Sequence, residues 1–279
     1  MGSVRGTPSH AGYSRGWDMM FDDPDGWLAA LDREEREALR VAADEPLEFP
    51  AKTDFLPEDD NDGWLHVLTH GWAVRYLTGP NGWRQIVAVN LPGEILDADR
   101  LYLDRARFGL ATITDCTIVR LDRSKLREMA QSSPPVCRAF GAVLAIEKFS
   151  MSESAARLGQ RCARNRMAHF FCEMAARLDK LAAASRRGHF FPITQEQLAS
   201  ILGMSVVHVN RTLQDLRADG LIELRAQRLQ ILDRTRLTQI AEFDDGYLNL
   251  EPVRGGRISD ETDPDGAGVG PENAYCESR

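Results

Sequence analysis

Cysteine is scarce and scattered. The 279 residues hold five, at positions 116, 137, 162, 172 and 276, with no CxxC pair and none among the first 115 residues. A disulfide framework is excluded, and the spacing fits a reducing cytoplasm. An iron–sulfur cluster, which takes about four grouped cysteines, is excluded as well. No apolar run reaches about 18 residues, so no membrane span is expected. The opening stretch MGSVRGTPSHAGYSRGW lacks the apolar centre of a signal peptide. Nucleophile elbow, P-loop and HExxH are all missing, so no catalytic residue is assigned.

Positive charge is also short overall, with a net −8. It is unevenly placed. Residues 155–240 carry 14 Arg or Lys against 7 Asp or Glu, an excess of seven, which leaves −15 for the remainder. A basic segment of this kind is what phosphate contact needs, and the acidic remainder would turn away from DNA. Hydrophobic residues at 43% and charged residues at 27% are those of a globular chain long enough for two cores.

The most informative stretch lies inside the basic segment: TQEQLASILGMSVVHVNRTLQDL, Thr194 to Leu216. Thr194 and Gln197 have capping-box spacing. Leu198, Ile201 and Leu202 make an apolar stripe, and Gly203 stands where a helix ends in left-handed backbone. Ser205 caps a second helix whose buried face is Val209, Leu213 and Leu216. Val207, His208, Asn210, Arg211 and Gln214 are left facing outward. Two strands follow, Leu221–Arg225 and Arg228–Leu232, around Ala226-Gln227. The pattern is a winged helix-turn-helix, built to enter a DNA major groove.

The run TQEQLASILGMSVVHVNRTLQDLRADGLI resembles the DNA-binding segment of the Crp/Fnr superfamily of bacterial transcription regulators. Upstream, GWAVRYLTGPNGWRQIVAVNLPGEIL is similar to that family's sensor domain, a cyclic-nucleotide-binding-like β-roll. The resemblance spans roughly residues 25 to 250 and implies an α+β protein of two domains. Residues 1–24 are expected to be disordered, 25–132 to form the sensor β-roll (a jelly roll), and 133–160 a dimerisation helix. Residues 161–250 form the winged helix-turn-helix, and 251–279 a disordered tail.

Local patterns agree with this plan. Asp25 to Ala43 reads as one helix. Trp64–Leu68, Trp72–Leu77, Arg84–Leu91, Leu110–Ile113 and Thr117–Leu121 read as strands, with turns at His70-Gly71, Gly79-Pro80-Asn81-Gly82 and Pro92-Gly93. Pro134-Pro135 opens a long helix, where proline is tolerated. Phe140, Leu144, Met151 and Leu158 lie along one heptad-like seam for a second copy, interrupted by Glu147 and Ser154. Gly159-Gln160 ends it. Cys162–Leu181 is another amphipathic helix, and Leu237–Phe243 a short last one.

Carried over by position, Ser205 to Arg211 is the base-reading half of the recognition helix. Some family members have Arg and Glu directly after the capping serine; here Val206 and Val207 stand there. Valine offers a methyl contact to thymine rather than a hydrogen bond. Arg211 matches a retained arginine, suited to guanine or phosphate, with His208, Asn210 and Gln214 adding polar contacts. Thr194, Arg225 and Arg228 are assigned to phosphates. The resemblance implies a homodimer on a double-stranded, two-fold symmetric DNA operator, with RNA polymerase as a further partner.

The signal is less legible. A cyclic nucleotide needs a Glu for its ribose and an Arg for its phosphate. After Pro92-Gly93-Glu94 comes Ile95-Leu96-Asp97-Ala98-Asp99-Arg100, and Asp97, Asp99 and Asp104 surround Arg105 and Arg107. No cofactor or metal is assigned. Haem on His66, His70 or Cys116, a redox switch at Cys137 or Cys162, and an unidentified small effector remain alternatives. So does a cupin-type metalloenzyme, although His66 and His70 alone make a poor metal set.

Overall fold

The computed structural model describes Trp17, Met20, residues 26–181 and residues 188–248. The expected C-terminal tail from 251, and nearly all of the first 24 residues, lie outside the described residues. Trp17 does not: it is buried in the sensor core with Leu28, Leu31 and Leu39, so a boundary at residue 24 cuts through a packing contact.

The first helix is interrupted. Trp27–Ala30 forms a single 3-10 turn, and α1 (Arg33–Ala42) starts afresh after Asp32. Asp32 accepts from the Glu35 amide while Glu35 reaches back to the Asp32 amide, a full capping box inside what periodicity reads as one helix.

Seven strands build the β-roll: β1 (Leu47–Phe49), β2 (Asp54–Leu56), β3 (Trp64–His70), β4 (Ala73–Thr78), β5 (Arg84–Asn90), β6 (Gly109–Thr112) and β7 (Cys116–Asp122). They form two antiparallel sheets, ordered β1-β7-β3 and β2-β6-β4-β5. Gly71 turns the chain from β3 into β4 at φ 90°, and a Cβ there would sit 2.3 Å from the Asp115 carbonyl oxygen. Any side chain is excluded. Inside the roll, Leu56, Leu68, Ala73, Leu110 and Ile118 pack together.

Asp122 then caps α2 (Arg123–Ser132) with bonds from the Ser124 and Lys125 amides, a helix with no counterpart in the sequence reading. Ser133 and the paired prolines start α3 (Pro134–Gln160), which ends at the expected Gly159-Gln160. The C-terminal half holds α4 (Ala163–Leu181), β8 (His189–Phe190), α5 (Gln195–Leu202), α6 (Val206–Ala218), β9 (Ile222–Arg225), β10 (Arg228–Ile231) and α7 (Arg234–Ala241). β8 joins the wing, so the sheet is three-stranded, ordered β8-β10-β9.

The two halves share a core. Trp72, Val74, Tyr76, Ile86 and Val89 on the outer face of β4 and β5 pack with Phe171, Phe191, Leu198 and Leu213 of the C-terminal half. β5 is an edge strand, and α5 covers it: the Ile86 amide donates to Ser200 Oγ at 2.9 Å. Arg177 of α4 crosses to Glu94 at 2.7 Å and to the Val89 carbonyl at 2.8 Å.

Two histidines are buried with opposite charge states. His66 sits between Asp97 (2.8 Å) and Asp62 (3.3 Å), with Arg100 bracing the same carboxylates. Burial disfavours its charged form, but Asp97 and Asp62 outweigh that and push its pKa up to about 9. His169 of α4 faces Arg157 at 3.2 Å, and burial, with Arg157 and Arg161, pushes its pKa down to about 3. The unfolded value for both is near 6.5. His66 therefore contributes stability below pH 6.5 that is lost as pH rises toward 9. His169 stays neutral in the fold, so below about pH 6.5 only the unfolded chain takes up that proton, and stability falls. Melting temperature measured against pH should peak near 6.5, and His66→Gln should flatten the alkaline limb. A melting temperature unchanged between pH 6.5 and 9 would contradict the buried imidazolium.

Candidate nucleic-acid interface

The helix-turn-helix is assembled by local hydrogen bonds. Thr194 Oγ1 accepts from the Gln197 amide at 3.2 Å, and the Thr194 amide donates to Gln197 Oε1 at 2.8 Å. Leu198, Ala199 and Leu202 bury the inner face of α5. Gly203 closes it at φ 59°, left-handed backbone that glycine adopts without the Cβ penalty. Ser205 Oγ then accepts from the His208 amide at 3.2 Å and opens α6.

The register of α6 decides which side chains face out. Val209, Thr212, Leu213 and Leu216 are buried. Ser205, Val206, Val207, His208, Asn210, Arg211 and Gln214 are all exposed. They share one outer surface, with Val207 80% exposed at its centre. A valine so open on a helix this well packed is not there for the core. Thr194 is exposed at the start of α5.

The wing extends the surface. Arg217 donates to the Leu224 carbonyl at 2.6 Å and ties α6 to β9. At the tip, Ala226 and Gln227 both have positive φ, 47° and 57°, the left-handed pair of a tight hairpin without the usual Asn-Gly. Arg225 is exposed and lies 3.4 Å from Glu223, and Arg228 is exposed with one nitrogen on the Gly188 carbonyl at 3.3 Å. The two are directly opposite each other in the β9–β10 pair, so they share one face of the wing.

Residues 165–240 match the Crp-like helix-turn-helix domain family. The nitrogen fixation regulation protein FixK of Azorhizobium caulinodans is 28% identical over 213 residues, 76% of this chain and 85% of that protein. The transcriptional activator protein FnrL of Cereibacter sphaeroides is 28% identical over 195 residues, 68% of this chain and 77% of that one. Among solved structures, FixK2 of Bradyrhizobium japonicum superposes with a TM-score of 0.64 at 24% identity, covering 70% of this chain and 96% of FixK2. Residues 165–240 are thus a Crp-like helix-turn-helix domain, and the chain as a whole is similar to regulators of the Crp/Fnr type.

The packing of α3 corrects the expected dimer seam. Phe140 is fully buried against its own sensor, with its ring 5.4 Å from that of Trp27. It is a core residue and cannot meet a second copy. Leu144 is half-buried on the same core. Met151 and Leu158 remain 42% and 43% exposed, and Phe149, absent from the expected seam, is 49% exposed. Glu147 faces inward and pairs with Arg75 at 3.0 Å. Seven-residue spacing places all four seam residues on one face, and it could not tell the turns of that face that meet the sensor from those that stand clear of it.

In the β-roll, two of the groups weighed for ligands, His66 and Cys116, are committed to internal contacts, while His70 is exposed. Both His66 ring nitrogens are engaged by carboxylates, which removes it as a haem ligand. Cys116 is buried with its thiol on the Trp72 carbonyl, and burial pushes its pKa up to about 11. Cys137 and Cys162 are exposed. A cavity of about 450 Å³ lies between the roll and α3, lined by Arg75, Asp99, Phe108, Glu147 and Met151.

The residues that join sensor to reader, Glu94, Arg177 and Ser200, were not singled out by the sequence. Their partners lie 83 and 114 positions away, and no short-range pattern signals such pairs. The strained wing tip gives a direct check. Gln227→Gly should raise stability by roughly 1 kcal/mol, since a left-handed L-residue costs about 1–2 kcal/mol. Unchanged or lower stability in urea titration would show that the Gln227 side chain offsets its backbone strain.

Proposed function

We propose that this Crp/Fnr-type regulator acts as a cytoplasmic homodimer that reads a two-fold symmetric DNA operator through Ser205–Leu216. The observation that carries the reading is the exposed row on α6: Val206, Val207, His208, Asn210, Arg211 and Gln214 on one surface of a capped, well-packed helix. Regular B-DNA admits a helix in its major groove, where Arg211 can take guanine O6 and N7 and the valines can meet thymine methyls. Thr194, Arg225 and Arg228 hold phosphates and fix the register without reading sequence. RNA polymerase is the partner that a regulator bound at a promoter would meet.

Dimerisation runs along the later turns of the expected seam on α3, through Met151 and Leu158, large apolar side chains left open in one protomer. Two copies would set their recognition helices about 34 Å apart, one turn of DNA. We also infer that the roll does not take a cyclic nucleotide. Arg75, the guanidinium in the cavity against α3, is already paired with Glu147, and Asp99 lines the same wall. Arg107 is exposed and sits 3.7 Å from Asp59. A cyclic phosphate would meet carboxylates rather than a free cation. The relatives named above are regulators, and an enzymatic role has no support among the residues of the roll.

Selection of bound sequences from a random DNA pool tests the reading. The wild type should enrich a two-fold symmetric site without added ligand, and Arg211→Ala should lose about 1–3 kcal/mol of discrimination at one base pair of each half-site. Enrichment of an asymmetric site, or of none, would contradict it. Arg225→Ala should weaken binding evenly across sequences and lower the salt slope by about one. A change in base preference would show that Arg225 reads bases instead.

A further inference from the structure

The reading half of α6 is short of charge. From Ser205 to Gln214 it holds one permanent cation, Arg211, and no carboxylate. Val206 and Val207 offer methyl groups alone. His208 is the one side chain of that stretch whose charge can change near neutral pH, since histidine is the residue that titrates between about pH 5 and 8.

The backbone of His208 is held at both ends by side chains. Its amide donates to Ser205 Oγ at 3.2 Å, and its carbonyl accepts from Thr212 Oγ1 at 2.9 Å. Thr212 is buried, so this second anchor lies on the inner face of the helix while the imidazole stands outside. Val207, its neighbour in the chain, is the most exposed large apolar side chain of the described residues. The ring is thus rooted in a fixed turn at the open centre of the reading surface.

Nothing in the protein sets the charge of that ring. Among the described residues no ion pair or hydrogen bond takes up the His208 imidazole or the Arg211 guanidinium. On α6 itself, Arg211 lies one turn on and Asp215 two turns on. The charged groups on the elements packed against α6 are engaged elsewhere. On α4, Arg166 donates to the Leu202 carbonyl and Arg164 pairs with Asp219. On β9, Glu223 pairs with Arg225. On α5, Glu196 is turned to its own amide and to Thr194.

DNA supplies the missing partner. A duplex carries one negative charge per about 1.7 Å of axis, and opposite charge favours the protonated form of an imidazole. Charged, the ring donates from both nitrogens; neutral, it donates from one only. The acceptors it can meet, a guanine or thymine edge or a phosphate oxygen, are better served by the charged form.

We propose that His208 links operator binding to the uptake of a proton from solvent, one for each protomer, so that acid tightens binding. A group whose proton is held more firmly in the complex adds affinity at low pH and loses it as pH rises. The link rests on the function proposed above. It makes acidity a signal that acts on the reading helix itself, with no guest in the sensor.

The test is fluorescence anisotropy of the full chain on the duplex recovered by operator selection, at fixed salt. A proton held one pKa unit more firmly in the complex is worth about tenfold for each protomer, so wild-type affinity should rise about tenfold or more from about pH 8 to pH 6. His208→Gln should change by less than about twofold over that range. His208→Lys, charged throughout, should be equally flat and should bind more tightly than His208→Gln at the alkaline end. Circular dichroism checks that both variants are folded. In selections at the two pH values, altered preference at one base pair assigns the proton to a base edge, and unaltered preference with the same gain assigns it to a phosphate; both support the link. Wild-type affinity that is flat or falls in acid, or a gain that persists in His208→Gln, would overturn it. No salt-dependent binding to any duplex would overturn the proposed function and the link together, whereas pH-independent binding to the selected site overturns the link alone.

Discussion

The structure depends on one joint, the packing of the DNA-binding half onto the outer face of β4 and β5. Trp72 sits at its centre, with ring centroids 6.4 Å from Phe190 and 6.0 Å from Phe191, both edge-on. Phe171 and Phe170 close round Phe191 from α4. Each fully buried aromatic of this kind is worth about 1.5–3 kcal/mol relative to exposure, so the joint far outweighs its polar contacts. The polar contacts supply direction instead. Ser200 stands where a neighbouring strand would bond β5, and Arg177 pins the turn after β5 through Glu94. An edge strand that would otherwise be open to another chain is thereby covered.

Much else follows from that joint. With α5 held against β5, the outer surface of α6 is turned away from the sensor and left open, which is what a base-reading helix needs. Phe140 and Glu147 face inward for a different reason, Phe140 against Trp27 and Glu147 onto Arg75. The early turns of that face of α3 serve their own chain through Phe140 and Glu147, and its later turns, with Met151 and Leu158, are left open. A change in how the halves meet would reach α3 and α6 through the same few side chains.

The helix-turn-helix was legible in the sequence because its determinants are local. Thr194 finds Gln197, Ser205 finds the His208 amide, and Gly203 stands at the turn, all within four residues. The main strands of the roll were legible because alternation and turn glycines mark them. What escaped the sequence was long-range or locally ambiguous. The capping box at Asp32 and Glu35 splits a stretch whose apolar spacing reads as continuous. Phe140 fits a heptad seam as well as it fits a core, and only the position of Trp27 decides between them. His66 reads as a free ligand until Asp62 and Asp97 are seen on both of its nitrogens.

If the sensor and the reader share one core, they unfold together. Differential scanning calorimetry of the whole chain reads this most directly. A single transition is expected, with calorimetric and van't Hoff enthalpies in agreement, and Trp72→Ala should lower it as one peak, by roughly 3–5 kcal/mol of stability. Two separate transitions, or a Trp72→Ala variant in which only one half melts earlier, would show that the joint is a loose contact and contradict the shared core.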